Sequence, residues 1–226
     1  MKFINSPGYV VAESSENSSH EAYIGGRCPL PGAVSPNTGA PLTQFARVVQ
    51  SRDGFAVPGF DEPELHLLYS WKCDIHKGDF SYRYINGSIE VVEYTTGSDD
   101  YEDFPYPNYP EVFNEVSVGI RRLSDEEMAV IERLNAPDVD GEYKFSGALP
   151  SMLSVPQHQF GGVPYLLDTE RVRKDCPVCK KEMTVIASVG NKNYSTDEGF
   201  VGNDFVQILY FSCSSCKVVS ALNFSD

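Results

Sequence analysis

Glu182-Met183-Thr184-Val185-Ile186-Ala187-Ser188-Val189 repeats the pattern of Pro41-Leu42-Thr43-Gln44-Phe45-Ala46-Arg47-Val48, and reading both stretches as half-buried strands decides the fold. The likeness extends to both sides. Upstream, Phe160-Gly161-Gly162-Val163-Pro164 matches Tyr23-Ile24-Gly25-Gly26; downstream, Ile208-Leu209-Tyr210-Phe211-Ser212-Cys213 matches Leu68-Tyr69-Ser70-Trp71-Lys72-Cys73. Leu42 precedes Cys73 by 31 residues and Met183 precedes Cys213 by 30. An internal duplication accounts for this order. The expected fold is α+β, mainly antiparallel β, with two pseudo-symmetric β-rich halves and few helices. One domain over 1–226 is expected, with a first half at 20–125, a helix and connector at 126–159 and a second half at 160–226.

The second half carries two C-x-x-C knuckles, Cys176-Pro177-Val178-Cys179 and Cys213-Ser214-Ser215-Cys216, separated by 33 residues. Zinc takes four soft or borderline ligands in a tetrahedron, and two cysteines three apart on a tight turn can offer both sulfurs to one ion. The long gap makes this a clamp between two hairpins rather than a small finger. Four protein thiolates close the coordination shell, so the expected zinc is structural. The alternatives are a pair of disulfides, which a reducing compartment disfavours, and four reduced thiols, which leave the paired spacing unexplained. On the repeat as aligned above, Cys176 and Cys179 fall opposite Ser35 and Thr38, and Cys213 and Cys216 fall opposite Cys73 and His76. Two ligands do not hold an ion, so Cys73 and His76 read as a relic or as an ordinary thiol and imidazole.

Composition and charge bound the rest. A chain of 226 residues, 41% of them apolar, can bury a normal core. The start Met1-Lys2-Phe3-Ile4-Asn5-Ser6-Pro7-Gly8 has no long apolar run, and nothing elsewhere approaches the roughly 20 apolar residues of a membrane span. A soluble cytoplasmic protein is expected, with no membrane contact. The formal net charge is −14, unevenly spread. Residues 90–142 hold fifteen acids against Arg121, Arg122 and Arg133, a balance of −12, whereas the chain from Ser151 has eight acids and seven bases.

The densest run is Asp99-Asp100-Tyr101-Glu102-Asp103-Phe104-Pro105-Tyr106-Pro107-Asn108-Tyr109-Pro110. Such a field repels nucleic acid and attracts basic surfaces. Tyrosines between carboxylates resemble an interface rim. The candidate partner-binding residues are therefore Asp99, Asp100, Tyr101, Glu102, Asp103, Tyr106, Tyr109 and Glu111. Lys174, Lys180, Lys181 and Lys217 decorate the knuckles, as in zinc ribbons that bind RNA or DNA. A net −14 argues against the basic track that nucleic acid requires.

Local signals place one helix and one hairpin. Ser124-Asp125-Glu126-Glu127 is a capping box, and Met128, Ile131 and Leu134 share the face that follows. Pro137 and Asp138 end the helix, and residues 136–159 are a connector rich in Pro, Gly and Ser. Asn86-Gly87 signals a tight hairpin. No catalytic set emerges: His20, His66, His76 and His158 stand singly. Gly161-Gly162 lacks the Lys-Ser/Thr of a phosphate loop. The protein is expected not to be an enzyme, and no small-molecule ligand is expected.

The double-glycine turn before Pro, the strand from Gly39-Ala40-Pro41-Leu42, the two C-x-x-C knuckles, the Met-centred strand and the aromatic strand together resemble the YwqG-like bacterial family. That family is related to the eukaryotic programmed cell death protein 2 group. The resemblance covers about Tyr23 to Phe224. It implies two pseudo-symmetric β-rich halves, no catalytic residues and a role in protein binding. Eukaryotic members resemble dedicated chaperones for a ribosomal protein. Bacterial members occur beside polymorphic toxins in the manner of immunity proteins. Nuclease toxins and ribosomal proteins both present basic faces. The expected function is thus toxin inhibition by an immunity protein that occupies a basic nuclease, with escort of a basic cellular protein as the alternative.

Overall fold

The computed structural model describes residues 2–4, 7–12, 20–70, 79–95, 111–136, 158–167, 169, 172–190 and 206–225. Among the described residues, twelve strands form one sheet: β1 (Lys2–Phe3), β2 (Tyr9–Val11), β3 (His20–Ile24), β4 (Thr43–Val49), β5 (Glu64–Tyr69), β6 (Phe80–Ile85), β7 (Ser88–Glu93), β8 (Val116–Arg122), β9 (Gln159–Phe160), β10 (Thr184–Val189), β11 (Val206–Cys213) and β12 (Val218–Ser225). The single helix among the described residues, α1, spans Asp125–Asn135. The spatial order is β5-β4-β3-β8-β2-β9-β10-β11-β12-β6-β7, with β1 beside β10. Every pairing is antiparallel except that of β1, which runs parallel to β10.

Two four-strand groups meet at the β8–β2 pair: β5-β4-β3-β8 on one side and β2-β9-β10-β11 on the other. Their registers correspond. Thr43 faces Tyr69, Gln44 faces Leu68 and Ala46 faces Leu67 in the first; Thr184 faces Ser212, Val185 faces Phe211 and Ala187 faces Tyr210 in the second. Each ladder skips one residue, Phe45 or Ile186. A skipped residue is a bulge, and it turns its carbonyl away from the normal partner. Phe45 O accepts the Gly25 N–H at 2.9 Å and Ile186 O accepts the Gly161 N–H at 2.7 Å. Gly25 and Gly161 sit at φ 77° and 72°, a left-handed backbone that only glycine adopts without strain.

The ladders also correct the alignment downstream. With Tyr69 opposite Thr43 and Ser212 opposite Thr184, Ser70 rather than Cys73 occupies the position of Cys213. Cys73 and His76 themselves lie outside the described residues. Alternation of apolar residues in an aromatic strand fixes a face but leaves the register free to shift.

The sheet order departs from the sequence order. The amino-terminal strands β1 and β2 pair with β10 and β9, and β6 pairs with β12. As expected, Asn86-Gly87 joins β6 and β7 with both residues at positive φ. The main core draws on both groups, with Phe45, Phe80, Tyr82, Phe160 and Tyr210 all but solvent-free. Each such side chain contributes about 1.5–3 kcal/mol of burial. Helix α1 begins with the predicted capping box: Ser124 Oγ accepts the Glu127 N–H at 3.1 Å and Glu127 accepts the Ser124 N–H at 2.8 Å. Arg121 clamps the same carboxylate at 2.9 and 3.0 Å. Ile131 is buried with Val10 and Leu123, and Met128 and Leu134 pack around them. Most of the connector, 137–157, lies outside the described residues.

Candidate metal centre

The knuckle Cys176–Cys179 is shaped by its own backbone. Cys176 N–H donates to Lys181 O at 2.8 Å, and Lys180 N–H donates back to Cys176 O at 2.9 Å. Lys180 completes the turn at φ 60°. The second knuckle leaves β11 at Cys213, returns a Cys216 N–H to Cys213 O at 3.3 Å, and completes its turn with Lys217 at φ 51°. Both turns therefore end in C-x-x-C-K with a left-handed lysine. The β10–β11 pairing sets the two turns side by side.

The four sulfurs of Cys176, Cys179, Cys213 and Cys216 lie within 4.8 Å of one another, with Cys179 Sγ and Cys213 Sγ 3.6 Å apart. A zinc–sulfur bond of about 2.3 Å gives a tetrahedral edge of about 3.8 Å, so this donor set fits one soft, tetrahedral ion. Cys176 and Cys213 are buried and Cys179 and Cys216 half-buried. The Lys181 backbone N–H draws the Cys179 thiol down to about 7. Burial, then the neighbouring Cys179 and Cys213, push Cys216 up to about 12. The Cys179 thiolate forms readily, whereas those of Cys213 and Cys216 resist without a shared cation, which is the electrostatic condition a metal relieves.

The corresponding turn of the first group has no thiol. Ser35 N–H donates to Ala40 O at 2.7 Å, Gly39 N–H donates to Ser35 O at 2.8 Å, and Gly39 takes φ 73°. The short bridge below each turn also corresponds, Val34 with Pro41 and Asp175 with Glu182. Side-chain oxygens act where sulfurs stand in the other turn: Ser35 Oγ accepts the Asn37 N–H and Thr38 Oγ1 the Ala40 N–H.

The structure reassigns two of the knuckle lysines. Lys174 is only 6% exposed, ion-paired with Asp79 and, at 2.7 Å, with Glu93. Lys217 lies 3.2 Å from Asp61 and 3.3 Å from Glu62. Lys180 and Lys181 are exposed. Four acids in the described part of the acidic belt are likewise paired: Glu90 with Arg83, Glu93 with Lys174, Glu115 with Arg47 and Glu127 with Arg121. Of the candidate partner-binding residues, Glu111 is exposed. Asp99, Asp100, Tyr101, Glu102, Asp103, Tyr106 and Tyr109 lie outside the described residues.

Sequence reasoning missed a polar cluster on β3, β4 and β5. Arg47 stacks over the Tyr23 ring at 3.7 Å and pairs with Glu64 and Glu115. Buried His66 shares a 2.7 Å hydrogen bond with Gln44, whose amide donates to Gly25 O. Burial pulls the His66 imidazole down to about 4, against the opposing pull of Glu64. These bonded partners are 17 to 68 residues apart along the chain, so no short motif announces them. A cleft of about 260 Å³ opens beside the knuckles between Ile4, Pro58, Lys181 and Ser214, below the roughly 300–1,000 Å³ of typical ligand pockets.

No helix among the described residues is long and apolar enough to cross a membrane. The chain matches no protein-family model, no curated protein and no solved structure.

Proposed function

We propose that the protein is a non-enzymatic protein-binding module of the YwqG-like kind. In this reading it is an internally duplicated β fold with one structural zinc on Cys176, Cys179, Cys213 and Cys216. It works in the cytoplasm as an immunity protein that neutralises a toxin with a basic face, foremost a nuclease. The duplication is supported by the matching turn bonds, the matching bulges and the mirrored strand order.

The observation that carries the protein-binding reading is the distribution of paired charge. Lys174 and Lys217 neutralise acids of the same chain, which removes half of the lysines that a nucleic-acid track at the knuckles would use. Glu90, Glu93, Glu115 and Glu127 are paired within the chain, and the run from Asp99 to Pro110 is the densest concentration of carboxylates in the belt. Occupying a basic nuclease with that stretch replaces nucleic acid by carboxylates.

The test begins with capture of the partner from the native host and its identification by mass spectrometry. A toxin supports immunity, whereas a ribosomal or other basic cellular protein replaces it with escort. Reversing Asp99, Asp100, Glu102 and Asp103 to lysine is then expected to slow association by about 10- to 1000-fold at low salt. Association unchanged by the reversal would sink the acidic contact.

A further inference from the structure

The outer edge of β5 would be an open sheet edge were it not for β6. Tyr84 Oη accepts the His66 N–H at 2.8 Å and Tyr82 Oη accepts the Leu68 N–H at 3.1 Å. Both hydroxyls donate back to His66 O, at 3.2 and 2.6 Å. Burial pushes both phenols well above their ordinary range, so they remain protonated donors. Yet β6 takes its ladder bonds from β12, with Tyr82 opposite Val219 and Arg83 opposite Val218.

That ladder starts at the metal knuckle. Lys217, next to Cys216, accepts the Tyr84 N–H on its carbonyl at 3.1 Å, and its ammonium holds Asp61 and Glu62. The same loop reaches the knuckle at Gly59, where a Cβ would stand 2.7 to 2.9 Å from Ser214. At the other knuckle, Lys174 precedes Cys176 by two residues and grips Asp79, just ahead of β6, and Glu93, at the end of β7. Both knuckles thus hold the hairpin whose tyrosines close the β5 edge.

We propose that the four-cysteine cluster is a latch: metal bound there keeps the β6–β7 hairpin over the β5 edge, and metal release uncovers that edge as a local event. The proposal rests on the metal reading above. Without the ion the two knuckles have no common partner, and the hairpin loses the anchor points at Lys217 and Lys174. The β5-β4-β3-β8 ladder has none of the four cysteines and retains its own bonds.

The test is amide hydrogen exchange on the full chain loaded with zinc, with free zinc then lowered stepwise by a chelating buffer and metal content measured at each step. Exchange at His66 and Leu68 is expected to rise about ten-fold or more as zinc leaves, while the amides of β3 and β8 hold. Unchanged exchange at His66 and Leu68 after the metal has gone overturns the latch. Simultaneous loss of protection across the whole sheet overturns it too, since the ion then supports the fold globally. A chain that takes up neither zinc nor cadmium removes the metal reading and the latch together, and this is seen in the metal analysis before exchange begins. Lys174→Ala supplies a second arm in zinc-loaded protein. Full metal content with faster exchange at His66 and Leu68 supports the hairpin as the moving part; full metal content with unchanged exchange overturns it.

Discussion

The turns Ser35–Thr38 and Cys176–Cys179 share a backbone and differ in what ties them down. Each places proline second, closes with two backbone hydrogen bonds of 2.7 to 2.9 Å, and ends on a left-handed residue, Gly39 or Lys180. The thiol-free turn is complete without any metal, so a metal is not needed to shape such a turn. What the cysteines add is a connection between strands: Cys179 and Cys213 belong to arms 34 residues apart and bring their sulfurs within 3.6 Å. The serine and threonine oxygens instead bond amides two residues away. The first turn reaches a distant strand end by a single Asn37 side-chain bond to Thr95 O at 3.0 Å, whereas its counterpart is half of a clamp built from thiols.

Removing one side chain from each turn should therefore have very different effects. Metal binding by such sites is worth about 10–16 kcal/mol in peptides, comparable with the roughly 5–15 kcal/mol net stability of a whole domain. Cys179→Ser is expected to lose the ion and to melt well below the parent, with the β6–β7 hairpin released and the β5-β4-β3-β8 ladder still folded. Thr38→Val loses the exposed hydrogen bond from the Ala40 N–H, about 1 kcal/mol. Thermal melting followed by circular dichroism, with zinc content measured in parallel, checks both. Similar melting temperatures for the two variants would abolish the distinction.

A second contrast concerns acid. His66 on β5 occupies the ladder position of Leu209 on β11, since Arg47 faces one and Ser188 the other. Leu209 cannot titrate. The His66 imidazole is held down at about 4 by burial, against about 6.5 in an unfolded chain. Below pH 6.5 the unfolded state takes up a proton that the folded state refuses, so stability is intact above that pH. It falls by up to about 3 kcal/mol as the pH drops toward 4. Urea unfolding at a series of pH values should show this slope in the parent and lose it in His66→Leu. A slope that survives in the variant would assign the acid sensitivity to other groups.

What the sequence revealed and what it hid divide by distance along the chain. The capping box of Ser124 and Glu127 and the Asn86-Gly87 turn are complete within a few residues, and each C-x-x-C knuckle is a local pattern that announces half of a site. The likeness of the Ser35–Thr38 and Cys176–Cys179 turns was also legible, because each stands at the same distance ahead of its matched strand, at Leu42 or at Met183. The position opposite Cys213 was misplaced by three residues, onto Cys73 instead of Ser70. Only the pairing of Tyr69 with Thr43 and of Ser212 with Thr184 resolves it. The β2–β8 junction joins Val10 to Arg121, and β6 reaches β12 across 139 residues at Ser81 and Ser220. Strand pairing of that kind depends on which edges remain free after the rest has folded, information that no window of sequence contains. Lys174 misled for the same reason: beside the knuckle it looked like a free cation, and its acids are 81 and 95 residues away.

The smallest effect sharpens the claim that the two turns have one backbone. Gly39 has φ 73° and open space where a Cβ would go, so Gly39→Ala meets no clash and only the left-handed penalty of about 1–2 kcal/mol. Lys180 already bears that penalty at φ 60°. Lys180→Gly relieves it but adds unfolded-state freedom of about the same size, leaving a net change within about 0.5 kcal/mol. Chemical denaturation of both variants with metal retained measures the pair. A Gly39→Ala cost several times larger would mean that the thiol-free turn is held by something other than the bonds from Ser35 and Gly39. A strongly stabilising Lys180→Gly would mean that the metal holds its lysine in a conformation the backbone alone would not choose.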